Sequence, residues 1–77
     1  MKVRVLLFAG LREKAGKGEM DIELNSSAQV KDLQEKLNLT KDVWNSMAFA
    51  VNQTYSPANT VLKEGDEVAL IPPVAGG

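Results

Sequence analysis

The residues whose types and spacing stand out for chemistry close the chain: Ile71-Pro72-Pro73-Val74-Ala75-Gly76-Gly77. Two prolines fix φ and stop any strand that reaches them, and two glycines then give the backbone its greatest freedom. A frayed terminus is the plain alternative, since disorder concentrates at chain ends. At an average glycine usage of roughly 7%, a Gly-Gly end arises by chance in about one chain in 200. The side chains narrow the choice. There is no Cys and no His among the 77 residues. That excludes disulfide scaffolds, thiolate metal sites and cysteine nucleophiles, and removes the usual general base and the commonest metal ligand. No metal site is expected.

Other function classes fall on charge and length. Nine basic and ten acidic residues give a net charge of −1. Lys and Arg are scattered, none lies beyond Lys63, and no nucleic-acid partner is expected. No apolar run approaches the roughly 20 residues of a membrane span. The start, MKVRVLLFAG, has the basic residue and short apolar stretch of a signal peptide. Arg4 interrupts it, however, and no convincing cleavage site follows. The expected address is cytoplasmic, with no membrane partner. A chain of this size forms one domain, residues 1–77, and buries only about 60–65% of its unfolded surface.

The elements that must position the tail follow from periodicity. KVRVLLFA reads as a strand with Val3, Val5, Leu7 and Ala9 on one face, and Leu6 and Phe8 on the other. Leu11 to Ala15 can form a helical turn before Gly16-Lys17-Gly18 breaks it. EMDIEL alternates strictly, with Met20, Ile22 and Leu24 inward. NSSAQVKDLQEKLNL reads as the main helix. Ser26 is its expected N-cap, with Gln29 at capping-box spacing and Val30, Leu33 and Leu37 on the buried stripe. Its charged residues form a solvated face. TKDVWNS is a short turn in which Trp44 reads as a packing residue. MAFAVNQ is a strand, TYSPANT is turn-rich, TVL is a short edge strand, and KEGDE is a turn on Gly65. EVALIPP is the last strand, with Val68 and Leu70 toward the helix and Ala69 and Ile71 away from it.

This order, β-β-α-β-β-β, predicts an α+β fold of the ubiquitin-like, β-grasp kind. Its mixed sheet has the two terminal strands parallel at the centre and one main helix on one face. Leu6, Phe8, Ala69 and Ile71 then converge where the tail leaves. An exposed apolar patch of that kind marks a docking surface, unless a loop folds over it.

The stretches VLLFAGLRE and AVNQT…EGDEVALIPPVAGG resemble the small subunit of molybdopterin synthase, a sulfur-carrier family with the β-grasp fold. The matching segments, 3–13 and 50–77, cover about half the chain, and the middle agrees in pattern without a motif of its own. The resemblance implies that the carboxyl group of Gly77 carries the reaction. In this family a partner enzyme, an ATP-dependent adenylyltransferase, makes an acyl-adenylate there, and sulfur replaces oxygen to give a thiocarboxylate. The tail then enters the large synthase subunit and gives its sulfur to cyclic pyranopterin monophosphate. The large and small subunits form a 2+2 heterotetramer. An α-carboxyl, with an ordinary pKa of about 3.5, is ionised at neutral pH and a poor electrophile. Adenylation supplies a leaving group, so the donor needs neither a catalytic side chain nor a stably bound cofactor; ATP is consumed by the activating partner. Gly76 and Gly77 keep the arm slim, Val74 and Ala75 pack in the partner's groove, and Pro72 and Pro73 stiffen the root of the tail. By the same resemblance Phe8 and Ile71 belong to the docking face, which Leu6 joins by its place on the outer side of the first strand. Arg12 contacts a partner, or else is a solvated Arg at a helix end. The nearest rival, a thiamine-pathway sulfur carrier, usually lacks Phe-Ala-x-x-Arg-Glu and the two prolines. A ubiquitin-like protein modifier is a different class with the same fold, and fold alone does not fix function.

Overall fold

Alternation of apolar and polar residues writes the sheet. The computed structural model describes residues 1–73 and places β1 at Lys2–Leu7, β2 at Glu19–Glu23, β3 at Ala48–Val51, β4 at Thr54–Tyr55 and β5 at Glu67–Ile71. These strands form one mixed sheet in the order β2-β1-β5-β3-β4. The first and last strands are parallel neighbours, registered from Arg4–Glu67 to Leu7–Leu70, and every other pairing is antiparallel.

Alternate residues of each strand face opposite sides. Val3, Val5 and Leu7 of β1, Val68 and Leu70 of β5, and Phe49 of β3 enter the core. The other side of that core comes from three short helices: α1 at Ala9–Ala15, α2 at Leu33–Lys36 led by a 3-10 turn over Val30–Asp32, and α3 at Lys41–Asn45. Leu11, Val30, Leu33 and Trp44 are their buried contributions. Complete burial of an aliphatic side chain contributes about 1.5–3 kcal/mol each, and Val3, Val5, Val30, Leu33, Val68 and Leu70 all reach it. Trp44 packs on Phe49 with ring centroids 4.6 Å apart, the packing role expected for it. Thr40 starts α3, its hydroxyl accepting from the Val43 N–H at 3.3 Å.

Three local expectations are corrected. Ser26 does not cap the main helix. Ser27 turns the chain with φ of 72°, and Ala28 to Lys31 then bond to a distant loop. Val30 donates to the Thr60 carbonyl, Lys31 to Ala58, and Leu62 to Ala28. With those groups committed, the helix starts late, where the Asp32 carboxylate accepts from the Gln29 N–H at 2.8 Å. TVL is likewise not a strand; Val61 makes one isolated bridge, to Gln29. The short fourth strand is Thr54–Tyr55, reached through Asn52 and Gln53, both with positive φ (51° and 70°), as a type I′ hairpin turn requires. Finally, Ala9 does not continue the inward face of β1. Its φ of 50° turns the chain into α1, Ala9 is exposed, and Leu11 takes the place in the core.

The turn before β5 is built from its own sequence. Gly65 has φ of 83° and donates to the Lys2 carbonyl at 2.8 Å, while Glu64 Oε1 accepts from the Lys2 N–H at 3.0 Å. Asp66 Oδ2 accepts from the Lys63 N–H at 2.8 Å, and the Asp66 carbonyl accepts from the Arg4 N–H at 2.9 Å. Glu-Gly-Asp thus sets the start of the parallel ladder between β1 and β5.

Candidate functional site

The outer face of the sheet, opposite the helices, is divided by its registers into two zones. One rung crosses all five strands: Glu19, Leu6, Ala69, Ala50 and Tyr55. Four of its five residues are apolar or aromatic. The rung beside it runs Asp21, Arg4, Glu67, and there Arg4 Nε lies 3.9 Å from Asp21 Oδ1. The apolar zone therefore lies toward the end of β5, where Ile71 pairs with Ala48 and the strand gives way to Pro72.

Phe8 follows β1 in extended conformation (φ −125°, ψ 158°) and is 45% exposed. Leu6, Ile71 and Pro72 are half-buried, and Pro73 is exposed. Leu6, Phe8 and Ile71 thus lie on the side of the sheet away from the helices, at the end from which the chain departs. Val74, Ala75, Gly76 and Gly77 lie outside the described residues.

Arg12 is exposed on α1 and forms no ion pair among the described residues. Its side chain folds back over Gly18, where an added Cβ would come within 3.4 Å of Nε. The Gly16 N–H caps the same helix on the Arg12 carbonyl at 3.0 Å, with Gly16 at φ of 77°.

Sequence reading missed Tyr55. It is 77% exposed and pairs with Ala50 on the apolar rung, which makes it the largest exposed side chain of that face. A two-residue strand is too short for periodicity to mark. The available signal was Asn52, a residue that favours the left-handed first position of a hairpin turn. Ala50 is buried but lies outside the main core cluster.

No group of three or more potential metal ligands occurs among the described residues. Nor is any helix there long and apolar enough to cross a membrane.

Comparison with known proteins agrees with this geometry. The ThiS family model matches residues 5–77. The molybdopterin synthase sulfur carrier subunit of Chlamydomonas reinhardtii is 40% identical over an 83-position alignment covering all of both chains. Among solved structures, SAMP1 of Haloferax volcanii, a small archaeal modifier protein, superposes with a TM-score of 0.85 at 27% identity, over all of both chains. The complex of subunits 1 and 2 of the molybdopterin-converting factor from Helicobacter pylori contains a chain matched with a TM-score of 0.69 at 31% identity, again over all of both chains. The chain belongs to the ThiS family, among the molybdopterin synthase sulfur carrier subunits.

Proposed function

We propose that the carboxyl group of Gly77 is the sulfur-carrying group and that the outer apolar face docks the proteins that load and unload it. The observation that carries this reading is the course of β5. The strand runs parallel to β1, ends at Ile71 one step past the Leu7–Leu70 rung, and gives way to Pro72 and Pro73 at the end of the sheet where Phe8 follows β1. Docking on that face places the tail root at the partner's entrance, and two prolines limit the conformational freedom lost when the arm inserts.

The chemistry proceeds in three steps. A partner enzyme joins the Gly77 carboxylate to the AMP moiety of ATP, releasing pyrophosphate. A sulfur nucleophile displaces AMP and leaves a terminal thiocarboxylate. In the large synthase subunit this sulfur attacks cyclic pyranopterin monophosphate, and hydrolysis returns the carboxylate. The synthase product carries two sulfurs, so two loaded tails are consumed per product, in keeping with a 2+2 assembly. Catalytic side chains belong to the partners, ATP is their substrate, and this chain holds no resident cofactor. The cytoplasm is its site of action.

Intact mass tests the reading. Protein purified from cells that contain the loading system should show the mass gain of one oxygen replaced by sulfur, located at Gly77 by fragmentation. Only carboxylate, in the presence of an active loading enzyme, would overturn it. A second reading, conjugation of Gly77 to lysine amines, draws on the likeness to the small archaeal modifier protein. Gly77 isopeptides on other proteins would mark that outcome.

A further inference from the structure

The end of β1 is shaped by a residue unsuited to its backbone. Val3, Val5 and Leu7 face the core, Leu6 faces out, and extended Phe8 continues the alternation outward. One more extended residue would point into the core. Instead Ala9 adopts φ of 50°, and the Leu11 N–H closes the turn on the Phe8 carbonyl at 3.2 Å.

A left-handed conformation costs a residue with a Cβ about 1–2 kcal/mol. The neighbouring glycine does not take it up. Gly10 is not among the positive-φ glycines, and a Cβ added there would meet nothing within 4 Å. Strain thus falls on Ala9, one position away from the residue that would carry it freely. Such strain persists only where the surroundings over-determine it, and it concentrates at functional positions. Here its effect is to make Phe8 the last extended residue. Phe8 stands one step past the Leu7–Leu70 rung, as Ile71 does in the parallel strand.

The geometry points to Ala9 as the positioning residue for Phe8: its left-handed backbone ends β1 at the one place that leaves the Phe8 ring on the docking face, level with Ile71. This rests on the docking role proposed for that face. What matters at position 9 is the sign of φ and not the methyl group.

The test measures affinity of the full-length chain for the large synthase subunit by calorimetry, with folding checked by circular dichroism and Trp44 fluorescence. Ala9→Val cannot adopt positive φ without a severe penalty, whereas Ala9→Gly and Ala9→Asn can. Ala9→Val should weaken binding about tenfold or more, as should the control Phe8→Ala, on the scale of a lost hot-spot contact. Ala9→Gly and Ala9→Asn should stay within about threefold of the parent, since they keep the turn. A folded Ala9→Val chain that binds like the parent overturns the inference, as does equal loss in Ala9→Gly. If Phe8→Ala binds normally, the docking role itself is wrong and the inference falls with it. Should Ala9→Val not fold, a chemically assembled chain with D-alanine at position 9 decides. D-Alanine favours positive φ, so retained affinity supports the assignment and a tenfold loss overturns it.

Discussion

The side-chain amide of Asn52 donates to Asp66 Oδ1 at 3.0 Å, across the gap between the β3–β4 hairpin and the turn that enters β5. Asn52 Oδ1 in turn accepts from the Glu67 N–H at 3.0 Å, and the Asn52 N–H donates to the Glu67 carbonyl at 2.8 Å. One side chain therefore pins the strand that carries the tail to its antiparallel neighbour. Asn52 also occupies a left-handed position, which Asn tolerates and most residues do not. Asn52→Ala loses both side-chain bonds and adds backbone strain, so it should destabilise by about 2–3 kcal/mol. Asn52→Gly loses the bonds alone and should cost about 1 kcal/mol. Urea unfolding followed by Trp44 fluorescence separates the two. Equal losses would mean that the turn is unstrained.

That pair also explains how much of the molecule sequence could reveal. EMDIEL and KVRVLL announced themselves because a half-buried strand imposes a period of two, and their faces fell as the alternation required. The helix after Ser26 did not, because hydrogen bonds to Ala58 and Thr60, some thirty residues away, take the backbone groups that local capping rules assume to be free. Ala9 and Tyr55 escaped for a related reason. Neither a left-handed alanine nor a two-residue strand is marked by the local patterns that reveal strands and caps. The Gly65-Asp66-Glu67-Val68 motif, read as a family signature, proves to be largely structural: its glycine, carboxylate and carbonyl seat β5 beside β1.

Replacing Phe8 by Asp separates docking from folding. Phe8 is 45% exposed and outside the core cluster, so the loss of apolar burial is partial and Phe8→Asp should cost about 1 kcal/mol or less. Affinity for the large subunit should fall at least tenfold, because an ionised carboxylate would be buried without a partner. A large drop in melting temperature would place Phe8 inside the fold rather than at an interface.

Tyr55 makes the complementary case. It is 77% exposed at a sheet edge, so Tyr55→Ser should leave stability within about 0.5 kcal/mol of the parent. On the apolar rung with Leu6, Ala69 and Ala50, an aromatic ring of this size is suited to anchor a partner. Its removal should slow product formation by the reconstituted synthase at limiting carrier, with the maximal rate at saturation preserved. Unchanged concentration dependence would take the β4 end of the face out of the interface.

Trp44 tests the opposite assignment, a large aromatic residue that is buried and not a binding site. Its ring stacks on Phe49 inside the core, so Trp44→Ala should cost about 3–5 kcal/mol. A chain of this length has a total stability of roughly 4–12 kcal/mol, so that loss takes a large share of it. Trp44→Phe retains an aromatic partner for Phe49 and should fold with a lower urea midpoint. Folded Trp44→Phe chains should load and donate sulfur at the parent rate. Loss of transfer in a folded chain would make Trp44 part of the site.

Deleting Gly77 tests the proposed reacting group apart from everything that presents it. The core and the sheet are built from described residues that end at Ile71, so urea unfolding should match the parent chain. Binding to the large subunit should persist within about threefold, because Leu6, Phe8 and Ile71 remain in place and dominant contacts cluster at such anchors. Sulfur loading and product formation should both vanish. The new terminus falls short of the reacting position by one residue, about 3.3–3.6 Å of extended chain, and displacements of about 1 Å can already cost a hundredfold in rate. Extending the chain with an alanine after Gly77 should fail in the same way, since it moves the carboxylate too far and adds a Cβ beside it. If the shortened chain still accepts sulfur at the parent rate, the terminal carboxylate is not the carrier and the proposed chemistry is wrong.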